Sequence, residues 1–477
     1  MFNLNENTNF CDLCIEYDIN QDDLFSMNES ILYTMDVFVN DNAKFIANEN
    51  FDEMLKSSVY EVFSQEIKSY LVSKGKYNER CELNCIPEIF EAVYCYSEMS
   101  FYQQIMPKRS FKKTFIRTNI NVELMKTKIK FNEDKEQPDQ RTTEWYKYRN
   151  NLITASNAWK CFENSNVQNQ IIYEKCKPFV DREESFINTS SPLHHGVKYE
   201  DVSIKLYEEK YKTKVADFGC LKHDDYSFLG ASPDGINVLD TSPLFGRMLE
   251  IKNPVSRVIT GIPKKDYWIQ MQLQMEVSDL NECDFLETKI TEFENEEAFI
   301  ISGGFTQPKD NYDNAMGILM YFSVNAKPVY ELAPFFCNEQ EYNIWFSNIQ
   351  KKYEDNESAT FVRSIYWKVD VFSCVLVLRN KLWFKKSIEE IKKIWDIIEY
   401  ERVNGYEHRA PKKRAKSIDN TPASGIEVKT DNTPCLIDLG DSFDLVNTDF
   451  DLVKLELDFD TSGVQVDLNI DPSNNIL

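Results

Sequence analysis

The spacing of hydrophobic residues predicts helices in the first quarter of the chain and a mixture of helices and strands in the segment that follows. Over residues 51–71, apolar residues recur at intervals of three and four, the pattern of an amphipathic helix. Between 141 and 306, helical patterns at 200–211 and 265–277 flank a short apolar run at 248–251 that is typical of a strand. Alternation of strands and helices predicts an α/β core, with a mixed sheet covered by helices.

The last third of the chain carries two further patterns. Residues 369–384 are β-rich, and a helix is predicted from 387 to about 403, where Asn404 and Gly405 form a helix-stop pair. The patterns together predict four segments. They are a helical N-terminal extension (1–125), a core (126–306), an α/β extension of that core (307–408), and a basic cluster with a disordered acidic tail (409–477).

Composition fits a globular protein of several domains. The chain has 477 residues, of which 42% are hydrophobic and 13% aromatic, with only 14 Gly and 16 Pro. No apolar run approaches the roughly 20 residues that span a bilayer, and the first residues lack the order of a secretory signal. We therefore expect a soluble, intracellular protein with no membrane partner.

The net charge of −24 argues at first against binding to nucleic acid, because phosphate contacts need Lys and Arg. Residues 417–477, however, contain 13 acids against two lysines and carry −11, which leaves −13 for the rest. The tail could bind a partner or shield a DNA-binding channel. The sequence KRAK at 413–416 fits a minimal nuclear-import pattern and equally a solvated basic linker.

Cysteine and histidine usage narrows the chemistry. Twelve scattered Cys indicate free thiols in a reducing compartment. Cys11-x-x-Cys14 and Cys81-x-x-x-Cys85 could complete one zinc site, although burial as small hydrophobic side chains is the favoured interpretation. Because the chain has only four His, we do not expect an active site built on several histidines.

Carboxylates and a lysine supply the candidate chemistry. The turn at 232–235 (SPDG) presents Asp234, and Glu250 and Lys252 are two positions apart, so on a strand they face the same side. Each motif alone is weak, because Glu-x-Lys is often a surface ion pair and Asp-Gly a turn. Together with Glu200 they indicate phosphodiester hydrolysis assisted by Mg²⁺, with Mn²⁺ as the alternative ion.

Five motifs in order make the resemblance specific. The sequences are WYKYRNNLITAS (145–156), HHGVKYED (194–201), SPDG (232–235), EIKNP (250–254) and YWIQMQLQM (267–275). Over about 141–288 the chain resembles the lambda exonuclease and YqaJ-like viral recombinase branch of the PD-(D/E)XK nucleases. The resemblance implies a restriction-endonuclease-like α/β fold, with the mixed sheet flanked by helices.

The resemblance also implies roles for individual residues. Asp234 and Glu250 would bind the metal directly, with the Ile251 carbonyl as third ligand, and Glu200 would act through the metal shell. Lys252 would be the catalytic lysine. Gln270 would help to hold the water or the substrate strand.

A pocket for a terminal 5′-phosphate is implied at Arg149, Ser156, Ser232 and Arg257, since Arg and hydroxyl groups suit phosphate. The chain departs from the pattern at His195, where relatives often carry Trp, and a structural role is favoured there.

The motif at 267–275 does not decide which second glutamine acts beside Gln270. Gln272 matches the paired-glutamine spacing of the family, whereas Gln274 lies one helical turn beyond Gln270 and shares its face. Only Gln270 is therefore assigned to the site.

The leading functional hypothesis is a Mg²⁺-dependent exonuclease that resects double-stranded DNA from 5′ ends to support recombination or replication. Relatives of this type often work beside a single-strand annealing protein and form rings, which suggests an annealing partner and a homo-oligomer. One alternative is a nuclease of the same fold that acts on RNA or internally on DNA. Another is an inactive nucleic-acid-binding scaffold. Kinship favours a virus, and hence the cytoplasm or nucleus of an infected cell.

Overall fold

In this computed structural model the structure describes residues 14–78, 81–115, 120–138, 142–180 and 188–411. Within them five α-helices precede the first strand, and helices and strands are interspersed from there on. The helices are α1 (Gln21–Asp41), α2 (Phe51–Ser73), α3 (Ile86–Gln104), α4 (Val122–Glu133), α5 (Thr143–Asn150), α6 (Ala155–Ala158), α7 (Ser165–Cys176), α8 (Pro192–Tyr211), α9 (Lys265–Ser278), α10 (Glu296–Ile301), α11 (Glu339–Glu354) and α12 (Lys381–Asn404). The strands are β1 (Ile153–Thr154), β2 (Val215–Ala216), β3 (Leu221–Lys222), β4 (Leu229–Ala231), β5 (Gly235–Asn237), β6 (Met248–Lys252), β7 (Glu282–Glu292), β8 (Met316–Val324), β9 (Lys327–Leu332) and β10 (Ala359–Leu378). Residues 413–416 and the acidic tail lie outside the described residues.

Helices α1 to α3 lie within residues 1–125, for which the sequence predicts a helical extension. Helix α1 begins with a capping box, in which Asn20 and Asp23 each accept a hydrogen bond from the backbone of the other. The predicted helix at 51–71 is confirmed as α2. Its buried face repeats every four residues, through Phe51, Leu55, Val59, Phe63, Ile67 and Leu71.

Arg109 connects this helical region to the core. Its side chain is buried and donates to the carbonyls of Ala47, at 2.9 Å, and Pro263, while its own carbonyl accepts from the indole of Trp268 on α9. Burial lowers the pKa of Arg109 to about 10. The extension therefore fixes the segment from which α9 starts.

The larger sheet has the strand order β2-β5-β6-β7-β10-β8-β9 within the described residues. Strands β6 and β7 pair in parallel, with α9 as their crossover helix, while the other neighbouring strands pair antiparallel. A smaller sheet has the order β1-β4-β3. The predicted fold class, a mixed sheet flanked by helices, is confirmed.

The boundary between β10 and α12 differs from the expectation. The β-rich run was placed at 369–384, but the strand ends at Leu378 and the helix begins at Lys381. The Asn380 side chain accepts the backbone N–H of Trp383 and caps the helix. Trp383 and Phe384 are therefore apolar positions of a helix, whose end at Asn404 is as predicted.

Cys14, Cys81 and Cys85 are buried free thiols in the hydrophobic core, and Cys11 lies outside the described residues. Within the described ranges, no three His, Cys, Asp or Glu side chains are grouped so that they could hold a metal ion, so any metal site there would need a backbone carbonyl or another donor beside two such side chains. The described helices also include none long and apolar enough to cross a membrane.

Candidate active site

Strand β6 brings Glu250 and Lys252 to the same face of the sheet. The Lys252 ammonium lies 2.9 Å from Glu250 Oε1, with the Glu250 side chain fully buried and that of Lys252 20% exposed. Neighbouring strand β5 follows directly after Asp234, and Asp234 Oδ2 accepts the backbone N–H of Ile251 at 2.7 Å. The sheet thus places two carboxylates and a lysine together, as the sequence predicts.

Gly235 allows the turn that presents Asp234 to approach strand β2. A Cβ atom at this position would lie 2.1 Å from Cγ1 of Val215 on that neighbouring strand. A larger residue would therefore push β5 away from β2. The Asp-Gly pair has a steric reason here beyond turn preference.

The electrostatics of the site are those of carboxylates held close together. Burial, followed by the charges of Glu250 and Glu200, raises the pKa of Asp234 well above its ordinary value. Lys252 and the Ile251 N–H act in the opposite direction without balancing these effects. Repulsion of this kind would be relieved by a divalent cation, and two carboxylates with a backbone carbonyl are the oxygen donors that Mg²⁺ prefers.

Helix α9 holds the Glu250 carboxylate with two amides. Gln270 Nε2 donates to Oε1 at 2.7 Å, and Gln274 Nε2 donates to Oε2 at 2.6 Å and to the Ser232 carbonyl at 3.2 Å. Gln272 points elsewhere, since it bonds the Leu378 carbonyl and the Asn380 N–H. The second glutamine at the site is therefore Gln274, and the signal for it was the four-residue helical spacing.

Helix α8 carries Glu200, whose charge acts on Asp234. Asn253, just beyond β6, fixes this helix to the sheet. Its amide donates to the Gly196 carbonyl at 3.3 Å, and its Oδ1 accepts from Ser203 at 2.8 Å and from Thr288 at 2.5 Å. Asn253 thus links α8 to the end of β6 and to β7.

The neighbouring histidines of α8 pack against tyrosines. The His194 ring nitrogen lies 2.6 Å from the Tyr330 hydroxyl, and the His195 ring centre is 4.7 Å from that of Tyr199. Burial lowers the pKa of His195 to about 4, so the ring is neutral at pH 7.

Arg149 lies among hydroxyl groups rather than acids. Its guanidinium donates to Ser232 at 3.2 Å, to Ser156 at 3.2 Å and to Thr154 at 3.5 Å, and it stacks 4.2 Å from the Trp145 ring. We call these four hydrogen-bonding residues, Arg149, Thr154, Ser156 and Ser232, the Arg149 cluster. Burial lowers the pKa of Arg149, and among ion pairs of the described residues none involves it. A guanidinium with hydroxyl partners and no carboxylate is a suitable site for an anion.

Arg257, the fourth residue expected in a phosphate pocket, contacts other groups. It forms an ion pair with the buried Glu287 of β7, and its guanidinium lies 5.4 Å from the Tyr267 ring centre. The Lys252 ammonium lies 5.0 Å from the same ring. The structure therefore groups Arg257 with Lys252, whereas Arg149, Ser156 and Ser232 form one cluster.

Comparisons with known proteins agree with the motifs. Residues 144–281 match the family model of the YqaJ-like viral recombinase domain. An uncharacterized protein of Acanthamoeba polyphaga mimivirus is 28% identical over 395 residues, which cover 75% of this chain and 66% of that protein. The chain thus spans slightly less than two thirds of that relative.

Two solved structures also match, with TM-scores of 0.33 and 17% sequence identity. Both are of the alkaline exonuclease LHK-Exo from Laribacter hongkongensis, one of them in complex with dAMP. They cover 55% and 56% of this chain, and 94% and 98% of their own chains. Residues 144–281 are therefore similar to the YqaJ-like viral recombinase domain.

Proposed function

We propose that this protein is a Mg²⁺-dependent exonuclease that removes nucleotides from the 5′ ends of duplex DNA. The observation that carries the proposal is the connection between the Arg149 cluster and the carboxylates. Ser232 belongs to the cluster, and Asp234 is two residues further along the chain. Two residues span at most about 7 Å, so a terminal phosphate and the next phosphate of the same strand could bind side by side.

Gln274 makes the same connection through its side chain. Its amide donates both to the Ser232 carbonyl and to Glu250 Oε2. A displacement of the turn at Ser232 would therefore change the position of the Glu250 carboxylate. This coupling supports cleavage one nucleotide from an end rather than at internal positions.

Each residue has a distinct task in hydrolysis. A divalent cation held by Asp234, Glu250 and the Ile251 carbonyl would stabilise the charge of the transition state and lower the pKa of a water molecule. Gln270 and Gln274 keep the Glu250 carboxylate in one orientation. Lys252, at 2.9 Å from Glu250, would orient or deprotonate the water or neutralise the charged phosphate, and Glu200 would act through the metal shell.

The biological role proposed is recombination or replication. Resection of the 5′-ended strand leaves a 3′ single strand, which a single-strand annealing protein could then bind. A homo-oligomer enclosing the DNA would make digestion processive. The annealing protein, the homo-oligomer and an intracellular site of action are all part of the proposal.

The substrate panel that tests the proposal contains a 5′-phosphorylated duplex, a duplex with blocked ends, a closed circle and an RNA of the same sequence. We expect rapid digestion of the first substrate and little of the others. Rapid cutting of the closed circle or preference for the RNA would instead establish the alternative nuclease activities.

A variant pair tests whether the site is catalytic. Glu250→Gln should lower the rate by at least about a hundredfold, because it removes a charge from the metal site. Asp240→Asn is the matched control, since Asp240 is exposed and pairs with Lys126. Equal activity in both variants would contradict the site, and absence of cleavage by the wild-type protein would favour a scaffold.

A further inference from the structure

Lys175 is a buried lysine at the base of the Arg149 cluster. It lies in the last turn of α7 and is only 5% exposed. Its ammonium donates to the main-chain carbonyl of Arg149 at 2.9 Å, at the end of α5. The side chain therefore holds the backbone from which the Arg149 guanidinium extends.

Arg402 of α12 binds the backbone at the ends of α5 and α7, where Arg149 and Lys175 lie. It donates to the Lys175 carbonyl at 2.7 Å and to the Asn150 carbonyl at 2.8 Å, which joins the ends of α7 and α5. Helices α5, α7 and α12 thus meet with Arg149, Lys175 and Arg402 side by side. Since a buried cation is costly unless it is paired, this concentration of charge calls for an anion.

The acids around this junction do not offset the three cations. Glu174, which faces Lys175, is about half exposed and lies 3.7 Å from the ammonium of Lys160. Cys220 is a fully buried thiol, and burial raises its pKa, so it is uncharged at neutral pH. The charged and titratable groups that act on Lys175 are therefore Glu174, Cys220, Arg149 and Arg402.

We propose that Lys175 is a positioning and specificity-determining residue of the phosphate site, whose buried positive charge makes the Arg149 cluster select a doubly charged terminal phosphate over an uncharged 5′-hydroxyl end. The inference rests on the proposed function. It adds a residue that no motif indicated and explains how the site could distinguish the end of a strand. An internal phosphodiester carries a single negative charge, so the second charge of the terminal group marks the end.

The proposal has a consequence for pH. Burial lowers the pKa of Lys175 to about 8, with Arg149 and Arg402 acting in the same direction and Glu174 and Cys220 against it. The charge is thus present below pH 8 and is lost as the pH rises through 8, while the terminal phosphate stays doubly charged. The preference for 5′-phosphate should fall by up to about tenfold for each pH unit above 8.

The test measures binding without cleavage. Fluorescent duplexes with a 5′-phosphate or a 5′-hydroxyl end are titrated with protein in EDTA at pH 7, 8 and 9, and the ratio of the two affinities is recorded. Lys175→Met should reduce the ratio by about tenfold or more at pH 7. Lys175→Arg should retain the ratio and make it independent of pH, because Arg stays charged.

Lys135→Met is the matched control, since Lys135 is a mostly buried lysine that pairs with Asp224 away from the cluster. It should leave the ratio and its pH dependence unchanged. If the wild-type protein prefers the phosphate and folded Lys175→Met keeps that preference, the proposal for Lys175 is overturned while the proposed function stands. If the wild-type protein shows no preference, the phosphate site itself is wrong.

Discussion

Both carboxylate oxygens of Glu250 are held by side chains of the candidate active site. Its two oxygens accept hydrogen bonds from Gln270 and Gln274, and Lys252 lies 2.9 Å from Oε1. Side chains that orient a metal ligand commonly affect activity by 10–100-fold. The two glutamines should therefore matter for the rate rather than for stability.

Gln274→Ala should lower kcat by about tenfold with little change in KM. Gln272→Ala is the matched control, because Gln272 is buried on the same helix and bonds backbone groups near Asn380. That variant should lose about 1–3 kcal/mol of stability and keep its kcat. Steady-state kinetics and thermal melts distinguish the two outcomes, and the opposite pattern would favour the paired-glutamine motif over the helical face.

Asp234 gives a second prediction. Because its pKa is raised in the folded state, its ionised form opposes folding at pH 8 in the absence of a cation. Asp234→Asn keeps an oxygen for the Ile251 N–H and removes the charge. In EDTA its Tm should be higher than that of the wild type, by about 2 °C or more.

The complementary measurement is the Tm of the wild-type protein and of Asp234→Asn after Mg²⁺ is added. Mg²⁺ should raise the Tm of the wild-type protein and leave that of Asp234→Asn nearly unchanged, because only the former retains the full ligand set. The variant should also be inactive. A lower Tm in EDTA would show that Asp234 is not repelled by its neighbours.

The residues in short motifs were predictable because one strand or turn positions them. Glu250 and Lys252 share a strand face by its period of two, and the Asp234 turn precedes the adjacent strand. Lys175 was not indicated, since its role depends on how the ends of α5, α7 and α12 meet. The ion pair of Arg257 with Glu287 likewise depends on the packing of β7, so the motif alone could not place Arg257.

Among the elements, helix α8 is linked to both β6 and β7 by the side chain of Asn253. Asn253 bonds its Gly196 carbonyl and Ser203 hydroxyl and also contacts Thr288 of β7. The N-terminal half of α8, which carries Glu200, is thereby fixed relative to β6. The sequence showed the helix and the strand but gave no indication of this contact.

Asn253→Ala should lose about 1–2 kcal/mol of stability and lower kcat by about tenfold, because Glu200 is no longer held in place. Asn295→Ala is a suitable control, since it removes the N-cap of α10 and should cost about 1 kcal/mol without affecting kcat. Denaturant unfolding and initial rates measure both quantities. An unchanged kcat in Asn253→Ala would show that the contact does not position the site.

Element boundaries were harder to predict where apolar residues continue across them. Apolar residues extend from β10 into α12, so the pattern of 369–384 reads as one strand. The cap formed by Asn380 divides it, and the buried positions then change from the continuous run 374–378 to the helical spacing of Trp383, Ser387, Ile391 and Ile394. Helices α2 and α9 were predicted to within two residues of their ends, whereas the predicted helix at 200–211 is only the C-terminal part of α8.

At the scale of the whole molecule, the negative charge is distributed unevenly along the chain. The segment 417–477 carries −11 of the net charge of −24, and the remainder carries −13. A DNA-binding protein of this charge depends on a local cationic site such as Arg149 and Lys175. The division of the chain into four segments stays a prediction.

Deleting residues 417–477 should strengthen DNA binding by about tenfold at low ionic strength, because it removes a net charge of −11 that repels DNA. The difference should shrink as salt increases, since exposed charges are screened over about 10 Å at 0.1 M. Affinity measured at several salt concentrations tests this. Equal affinities at low salt would leave the tail without a role in DNA binding.

The central claim is a metal-dependent exonuclease that starts at a 5′-phosphate. The most direct measurement is digestion of a linear duplex labelled at either the 5′ or the 3′ end, with Mg²⁺ or EDTA, followed over time. With Mg²⁺ the 5′ label should appear at once as a mononucleotide, and the 3′-labelled strand should shorten progressively, with no digestion in EDTA. Immediate release of the 3′ label, internal fragments as first products, or equal digestion in EDTA would contradict the account.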